Sequence, residues 1–220
     1  MKLVLASGSQ RRRELLTMCG YDYEIIVSNA DETIDESDPE SFVRALSLRK
    51  AKDVFDRLFA AGRREFAVIG SDTVVAFQKD GEAKPVIIGK PKDAKDAVRI
   101  LSMLSGKTHR VFTGVSVIAD IPDENAAAQC SIREKAEIQT ECSITEVTFE
   151  TLSPDEITDY VNSGDPLDKA GSYGIQGPFG MFVREIRGNY FTVIGMPIPV
   201  LYKMLKKIGI LPHGFYERIE

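Results

Sequence analysis

Apolar residues recur along the first half of the chain in runs that alternate between strand-like and helix-like spacing. Residues 10–19 have the amphipathic spacing of a helix, Asp38-Pro39 opens a longer helix with proline at its first position, and Asp93 caps a third helix. Four apolar runs have the length and composition of strands: residues 3–5, 23–27, 66–77 and 86–88. Helices and strands therefore alternate in this half of the chain.

The second half of the chain has longer strands. Ser153-Pro154-Asp155-Glu156 is a capping box that begins a helix, and residues 164–180 are rich in glycine. The polar segment 122–134 is interpreted as an exposed loop. The predicted elements are strands at residues 108–118, 138–151 and 182–186 and helices at residues 153–162 and 197–207.

This order of elements predicts an α/β protein with a mixed sheet rather than a purely parallel one. The chain has 220 residues, of which 43% are hydrophobic, so it suits one domain or two closely packed lobes with a substantial core. Because no repeat or linker divides it, residues 1–208 are predicted to form a single domain, followed by a C-terminal tail at residues 209–220.

Composition narrows the function classes. A net charge of −5 argues against a protein that wraps nucleic acid, although a local basic pocket remains compatible with it. Three cysteines without a C-x-x-C pair and two histidines make a disulfide framework or a zinc site a poor interpretation, so any metal is expected to be Mg²⁺ or Mn²⁺ held by carboxylates. Neither a signal peptide nor a membrane-length apolar segment is recognised, and a cytoplasmic protein is expected.

The junction between the first strand and the first helix is a candidate phosphate site. Ser7 and Ser9 stand in a small-residue turn, and Arg11 and Arg12 follow in the first helical turn. Unpaired backbone N–H groups and the helix dipole favour an anion there, and arginines can clamp its oxygens. The alternative is an ordinary helix start with a solvated basic turn. Basic residues are unfavourable at that end of a helix, which favours the phosphate interpretation.

Two further segments carry charged residues beside strands. Asp72 interrupts an apolar strand, where it could hold a metal or activate water, or simply end the strand in a turn. Lys90, in Gly89-Lys90-Pro91, follows a strand, but the full phosphate-loop pattern is absent and a surface lysine is the alternative.

The glycine-rich stretch 168–177 is the last candidate. Its glycines let backbone approach a ligand closely, and Gln176 could read the edge of a base. A flexible loop is the alternative, although apolar residues within the stretch favour a packed one. Lys50 and Glu32 lie in charged runs that a solvated surface alone would explain.

Together these segments resemble the Maf family of nucleotide pyrophosphatases, also called the septum-formation-inhibitor family. The resemblance covers about residues 1–207 in order and spacing, and residues 168–177 match almost verbatim. Gln10 replaces a usual proline, and residues 122–134 are longer than in the family. The matching motifs are Leu5-Ala6-Ser7-Gly8-Ser9-Gln10-Arg11-Arg12, Lys50-Ala51, Asp72-Thr73-Val74-Val75, Gly89-Lys90-Pro91, Leu104-Ser105-Gly106-Lys107-Thr108-His109 and residues 168–177.

The resemblance implies a fold similar to the inosine triphosphate pyrophosphatases: an elongated mixed β-sheet flanked by helices, with two lobes and a central cleft. It implies hydrolysis of a nucleoside triphosphate between the α- and β-phosphates. Asp72 is the implied general base, and Glu32 and Asp72 would hold Mg²⁺ or Mn²⁺. The implied catalytic residues are Glu32, Lys50, Asp72 and Lys90, and the implied substrate-binding residues are Ser7, Ser9, Arg11, Arg12, Thr73 and Gln176.

Thr73 and Gln176 match the branch of the family that cleaves dTTP and UTP, so pyrimidine substrates are expected. A purine-directed or 7-methyl-GTP-directed pyrophosphatase is one alternative. A nucleotide-sensing regulator of cell division without turnover is the other. Family resemblance also makes a homodimer possible, whereas nucleic acid and membranes are not expected as partners.

Overall fold

The computed structural model describes residues 1–79, 81–121 and 136–214 of the chain. The predicted loop at residues 122–134 and the last part of the predicted tail, residues 215–220, lie outside the described residues. Within the described ranges, no helix is both long enough and apolar enough to cross a membrane.

The described residues form seven strands and six α-helices. The strands are β1 (Lys2–Leu5), β2 (Glu24–Ile25), β3 (Phe66–Phe77), β4 (Val86–Ile88), β5 (Thr108–Ala119), β6 (Glu137–Phe149) and β7 (Val183–Arg187). The α-helices are α1 (Gln10–Met18), α2 (Pro39–Ala60), α3 (Ala94–Leu104), α4 (Pro154–Asn162), α5 (Tyr190–Ile194) and α6 (Ile198–Lys207).

All seven strands belong to one mixed sheet, in the order β2-β1-β3-β5-β6-β7 with β4 also paired to β3. β1 runs parallel to β2 and β3, and the remaining pairs are antiparallel. The long antiparallel pairing of β3, β5 and β6 gives the sheet its elongated form. The predicted mixed α/β fold, flanked by helices, is confirmed.

Two groups of core residues pack along the long strands on one face of the sheet, and two further groups pack beneath α2 on the other face. Around β1 and the start of β3, residues such as Leu5 and Ile69 pack against α1 and α6. Around the end of β3, residues such as Val75 pack with β4, α3 and α4. Between the two groups the strands carry buried polar residues, including Ser71 and Thr113. The cleft lies at this polar middle section.

A gap along the edge of β3 opens the sheet to the cleft. β1 pairs with β3 only as far as Ile69, and β4 begins its pairing at Val75. On that edge, residues 70–74 have no neighbouring strand among the described residues, although β5 pairs with them on the other edge. Asp72 and Thr73 therefore project from a continuous, rigid strand at a place where ligand can approach.

Two glycines let α2 lie directly on the sheet. A Cβ atom built on Gly70 would lie 2.1 Å from the carbonyl oxygen of Ser47, and one on Gly114 would lie 2.1 Å from that of Val43. Only glycine permits so close an approach of helix to strand. Because successive side chains alternate between faces, Gly70 and Asp72 share the face that α2 covers, whereas Thr73 points to the opposite face.

The structure differs from the predicted elements in two places. The pattern indicates only a turn at Gly188-Asn189, but a short helix, α5, follows, and the Asn189 side chain accepts a hydrogen bond from the Thr192 amide. Strand β2 has two residues instead of the predicted five, because it pairs only with Val4 and Leu5 at the end of β1. The remaining predicted helices and strands agree with the structure to within a few residues.

The glycine-rich segment is packed rather than flexible. It forms three 3₁₀ turns, Asp165–Asp168, Ala170–Ser172 and Pro178–Phe182, and it buries Tyr173 and Phe179 in the core. The buried aromatic side chains fix the segment in place, so it forms a wall of the cleft.

Candidate active site

A cleft of about 500 Å³ lies at the gap between β1 and β4. That volume suits a small-molecule ligand. The lining contains every residue predicted to bind substrate or act in catalysis: Ser7, Ser9, Arg11, Arg12, Glu32, Lys50, Asp72, Thr73, Lys90 and Gln176.

An ammonium group and two carboxylates meet at the centre of the cleft. Lys50, on α2, places its Nζ 2.7 Å from Oδ1 of Asp72 and 2.9 Å from Oε1 of Glu32. The Lys50 and Asp72 side chains are each 12% exposed, whereas Glu32 is 65% exposed. Poorly solvated opposite charges attract strongly, so this pair is held in one geometry. The close packing of α2 at Gly70 brings the two elements together.

The first wall of the cleft is the start of α1. Ser9 is the N-cap residue, yet its side chain makes no capping hydrogen bond, and its own amide donates to Oγ of Ser7. No acidic residue stands in the first turn. The amides at this helix end and the positive end of its dipole are therefore available to an anion.

Arg12 lies partly buried beside that helix end. Its guanidinium donates to the carbonyl oxygen of Gly195 at 2.8 Å, to Oγ of Ser7 at 3.2 Å and to Oγ1 of Thr73 at 3.3 Å. All three acceptors are neutral, and none of the ion pairs found among the described residues includes it. Burial lowers the pKa of Arg12, although nearby Asp72 partly opposes this. A partly buried cation without an ionic partner favours the binding of a phosphate group.

The opposite wall is the glycine-rich segment. Gly171 has φ of +71°, and a Cβ atom there would lie 2.5 Å from Cγ2 of Val75. Its amide donates to the carbonyl oxygen of Gly89 at 3.0 Å, which ties this segment to the turn that carries Lys90. Lys90 and Gln176 are both exposed at the cleft surface. The two therefore can reach a ligand without a change in the backbone.

An ionic contact joins the two walls. Nη1 of Arg11 lies 3.0 Å from Oδ2 of Asp168, whose other oxygen lies 2.8 Å from Nζ of Lys169. Lys169 also contacts Oδ1 of Asp165 at 2.9 Å. Although burial opposes the effect, the hydrogen bond from Lys169 and the charge of Arg11 hold the pKa of Asp168 below its ordinary value. Arg11 is thus paired with the carboxylate of Asp168.

Behind the glycine-rich wall lies a buried histidine. Nε2 of His109 lies 3.0 Å from the hydroxyl oxygen of Tyr173, and the ring packs edge-on against Phe149. Burial lowers the pKa of His109 to about 3, so the imidazole is neutral at physiological pH. Tyr173 lines the cleft, whereas His109 supports it from within the core.

The carboxylates of Glu32 and Asp72 fit a hard divalent cation. Both carboxylates already converge on one cationic group, the Lys50 ammonium. Mg²⁺ in phosphate-transfer sites commonly takes one or two carboxylates and completes its shell with water and substrate phosphates. Within the described residues, no group of three or more His, Cys, Asp or Glu side chains could hold a metal.

Some contacts of the cleft could not be predicted from the sequence. Arg13 belongs to the run of arginines at the predicted phosphate site, and the structure shows that it lines the cleft and donates to the carbonyl oxygen of Gly8 at 2.7 Å. Asp168 and Lys169 belong to the matched motif, but only the structure shows their ionic contacts. Val193 comes from α5, the helix that the sequence pattern did not indicate.

Comparison with known proteins relates the chain to one family. The model of the Maf family, described as "Maf-like protein", matches residues 2–208. The dTTP/UTP pyrophosphatase of Bacillus thuringiensis subsp. konkukian is 43% identical, with 95% of this chain and 96% of that protein aligned. The dTTP/UTP pyrophosphatase of Agathobacter rectalis is 39% identical, with 95% and 98% aligned.

Among solved structures, that of the Staphylococcus aureus Ham1 protein aligns with a TM-score of 0.46 and 16% identity, and the alignment covers 94% of this chain and 99% of that one. The family model spans nearly the whole chain, and both relatives exceed 30% identity over almost their full length. The chain therefore belongs to the Maf family.

Proposed function

We propose that this protein hydrolyses nucleoside triphosphates between the α- and β-phosphates, with dTTP and UTP as its substrates. The observation that carries the proposal is the convergence of Asp72 and Glu32 on Lys50, opposite a helix end that presents Arg12. Two carboxylates that could activate water and hold a metal ion thus face a helix end that could bind phosphate. Relatives named dTTP/UTP pyrophosphatase, at 39–43% identity, support the choice of reaction and of substrate.

The arginines and lysines would bind the triphosphate. Ser7, Ser9 and the amides of α1 provide donors for one phosphate group, and the guanidinium of Arg12 is already fixed beside them. Arg11 would exchange the carboxylate of Asp168 for a phosphate oxygen. Lys90 would offset charge from the opposite side of the cleft. Positioned cations of this kind supply most of the catalysis in phosphate transfer.

Asp72 would act as the general base. It takes a proton from a water molecule whose oxygen attacks the α-phosphorus, and the bond from that phosphorus to the bridging oxygen of the β-phosphate breaks. The products are a nucleoside monophosphate and pyrophosphate. Lys50 holds the Asp72 carboxylate in position through its 2.7 Å contact. Mg²⁺ or Mn²⁺, held by Glu32 and Asp72, would neutralise charge on the phosphates when bound.

Gln176 would read the base. It lies exposed at the lining of the cleft on the glycine-rich wall, and its amide offers both a donor and an acceptor. A pyrimidine edge with one carbonyl and one ring N–H matches that pair. Purine triphosphates are the alternative substrates against which this choice is to be measured.

The test is a panel of triphosphates, comprising dTTP, UTP, CTP, ITP and 7-methyl-GTP, incubated with Mg²⁺ and assayed separately for monophosphate, pyrophosphate and orthophosphate. We expect dTTP and UTP to have the highest kcat/KM and pyrophosphate to appear in equal amounts with monophosphate. A preference for ITP or 7-methyl-GTP would contradict the assignment of the base. Release of orthophosphate alone would contradict the assignment of the reaction.

A further inference from the structure

Four polar groups form a hydrogen-bonded chain that begins at Arg12 and crosses the sheet. Nη2 of Arg12 lies 3.3 Å from Oγ1 of Thr73, which lies 3.0 Å from Oγ1 of Thr113, which lies 2.7 Å from the carbonyl oxygen of Thr192. The chain thus runs from the cleft, through neighbouring residues of β3 and β5, to α5.

The direction of every hydrogen bond in this chain is fixed by chemistry. A carbonyl oxygen can only accept, so Thr113 uses its single hydroxyl proton on Thr192. Thr73 must therefore donate to Thr113. A guanidinium can only donate, so Thr73 accepts from Arg12 with a remaining lone pair. In this arrangement the Thr73 hydroxyl has no proton left for a substrate.

The same region holds Arg12 at a second point. Gly195, the residue that ends α5, accepts from Nε of Arg12 at 2.8 Å and from the buried hydroxyl of Ser71 at 2.9 Å. A Cβ atom on Gly195 would lie 3.1 Å from Oγ1 of Thr73, so the end of α5 is pressed against both partners. Thr113 and Thr192 are completely buried, and a buried hydrogen-bonded network of this kind is rigid.

We propose that Thr73 and Thr113 are positioning residues that align the Arg12 guanidinium for phosphate. The inference rests on the proposed function, since it takes Arg12 to be a phosphate ligand. It gives Thr73, which family resemblance makes a substrate-binding residue, the further role of orienting Arg12. In this arrangement the Thr113 hydroxyl orients that of Thr73, and Thr73 in turn accepts from Arg12.

The experiment measures the affinity for inorganic pyrophosphate by calorimetry in buffer with Mg²⁺, because pyrophosphate carries no base. Thr113→Val and Thr73→Val each interrupt the series of hydrogen bonds that leads to Arg12, whereas Thr113→Ser and Thr73→Ser retain the hydroxyl. We expect a loss of about tenfold in affinity for each valine variant and recovery to within about twofold for each serine variant. Each variant is then repeated in an Arg12→Ala background, where we expect no further loss.

Ser143→Ala is the matched control. The Ser143 hydroxyl lies 2.7 Å from Oγ1 of Thr192, in the same polar cluster but outside the series of hydrogen bonds that leads to Arg12. The affinity of the Ser143→Ala variant for pyrophosphate is therefore expected to stay within about twofold of wild type. The melting temperature of every variant shows whether it is folded. If Thr113→Val does not fold, the partly exposed Thr73 carries the test.

Two results would overturn the inference alone. One is an equal loss of affinity in the Arg12→Ala background, which would make the threonines merely structural. The other is unchanged affinity for pyrophosphate with a changed ratio of dTTP to CTP turnover, which would make Thr73 a base contact. A wild-type protein that neither binds pyrophosphate nor hydrolyses dTTP would instead overturn the proposed function, and the inference with it.

Discussion

At the scale of single residues, the structure shows polar groups whose burial fixes their ionisation. His109 is 2% exposed, its Nε2 faces Tyr173, and its Nδ1 has no hydrogen-bond partner among the described residues. Charging this ring inside the core is costly because nothing compensates the charge. The neutral ring, in contrast, packs among aromatic side chains. The residue that supports the glycine-rich wall is thus sensitive to acid.

We predict that His109 makes the protein less stable as the pH falls below 6.5. The pKa is about 3 in the folded protein and near 6.5 when unfolded, so between these values the unfolded chain binds more protons. Stability from this residue is complete above pH 6.5 and declines towards pH 3, with a limiting slope of about 1.4 kcal/mol for each pH unit.

The measurement is the free energy of unfolding from pH 7 to pH 4 for wild type and His109→Gln, which keeps a polar partner for Tyr173 but does not titrate. The wild-type curve should fall more steeply than that of the variant. His213→Gln, at a histidine whose side chain is 73% exposed, is the control. Parallel curves for wild type and His109→Gln would refute the prediction.

At the scale of elements, the packing of α2 on the sheet sets the distance between Lys50 and Asp72. We predict that Gly70→Ala lowers stability by about 1 to 3 kcal/mol, because the new Cβ atom would meet the Ser47 carbonyl oxygen at 2.1 Å. α2 must then move away from β3, which misaligns Lys50. We expect kcat to fall by about a hundredfold, since small displacements of catalytic groups have effects of that size.

Thermal unfolding and steady-state kinetics check this prediction. Gly89→Ala is a control for stability, because a Cβ atom there has nothing within 4 Å and its φ is not positive. Its free energy of unfolding should change by no more than about 0.5 kcal/mol. A Gly70→Ala protein as stable and as active as wild type would show that the close approach of α2 is not required.

Most elements could be predicted from the sequence because their signals are local. The capping box at Ser153 forms as its pattern indicates, and β3 has the predicted bounds, Phe66–Phe77. Helix α5 could not be predicted, because five residues are too few to show a helical period. The length of β2 depends on where β1 ends, which is a tertiary contact. An element whose length or existence depends on contacts with another element therefore cannot be predicted from its own residues.

The site follows the same rule. Asp72 could be singled out because a charged residue in an apolar strand is conspicuous by itself. Lys50 and Glu32 could not, since each stands among similar charges and only the fold brings them within 2.9 Å of one another. The family resemblance supplied those two residues. Neither source indicated Thr113 or Gly195, whose roles depend on hydrogen bonds across distant segments.

At the scale of the whole molecule, the cleft lies where two groups of apolar clusters meet across one sheet. The turn between β1 and α1 lines the cleft on one side. The turn after β4 and the glycine-rich segment line it on the other side. The contact of Arg11 with Asp168 joins these sides. In the proposed function, a triphosphate bound between them would replace this contact with its own.

The most direct measurement of the central claim compares wild type with Asp72→Asn on dTTP, following binding and turnover in the same preparation. We expect wild type to yield dTMP and pyrophosphate in equal amounts. Asp72→Asn should turn dTTP over at least about a hundredfold more slowly, because an amide cannot accept the proton of water. Tight binding of dTTP by wild type without turnover, or release of orthophosphate in place of pyrophosphate, would contradict the claim.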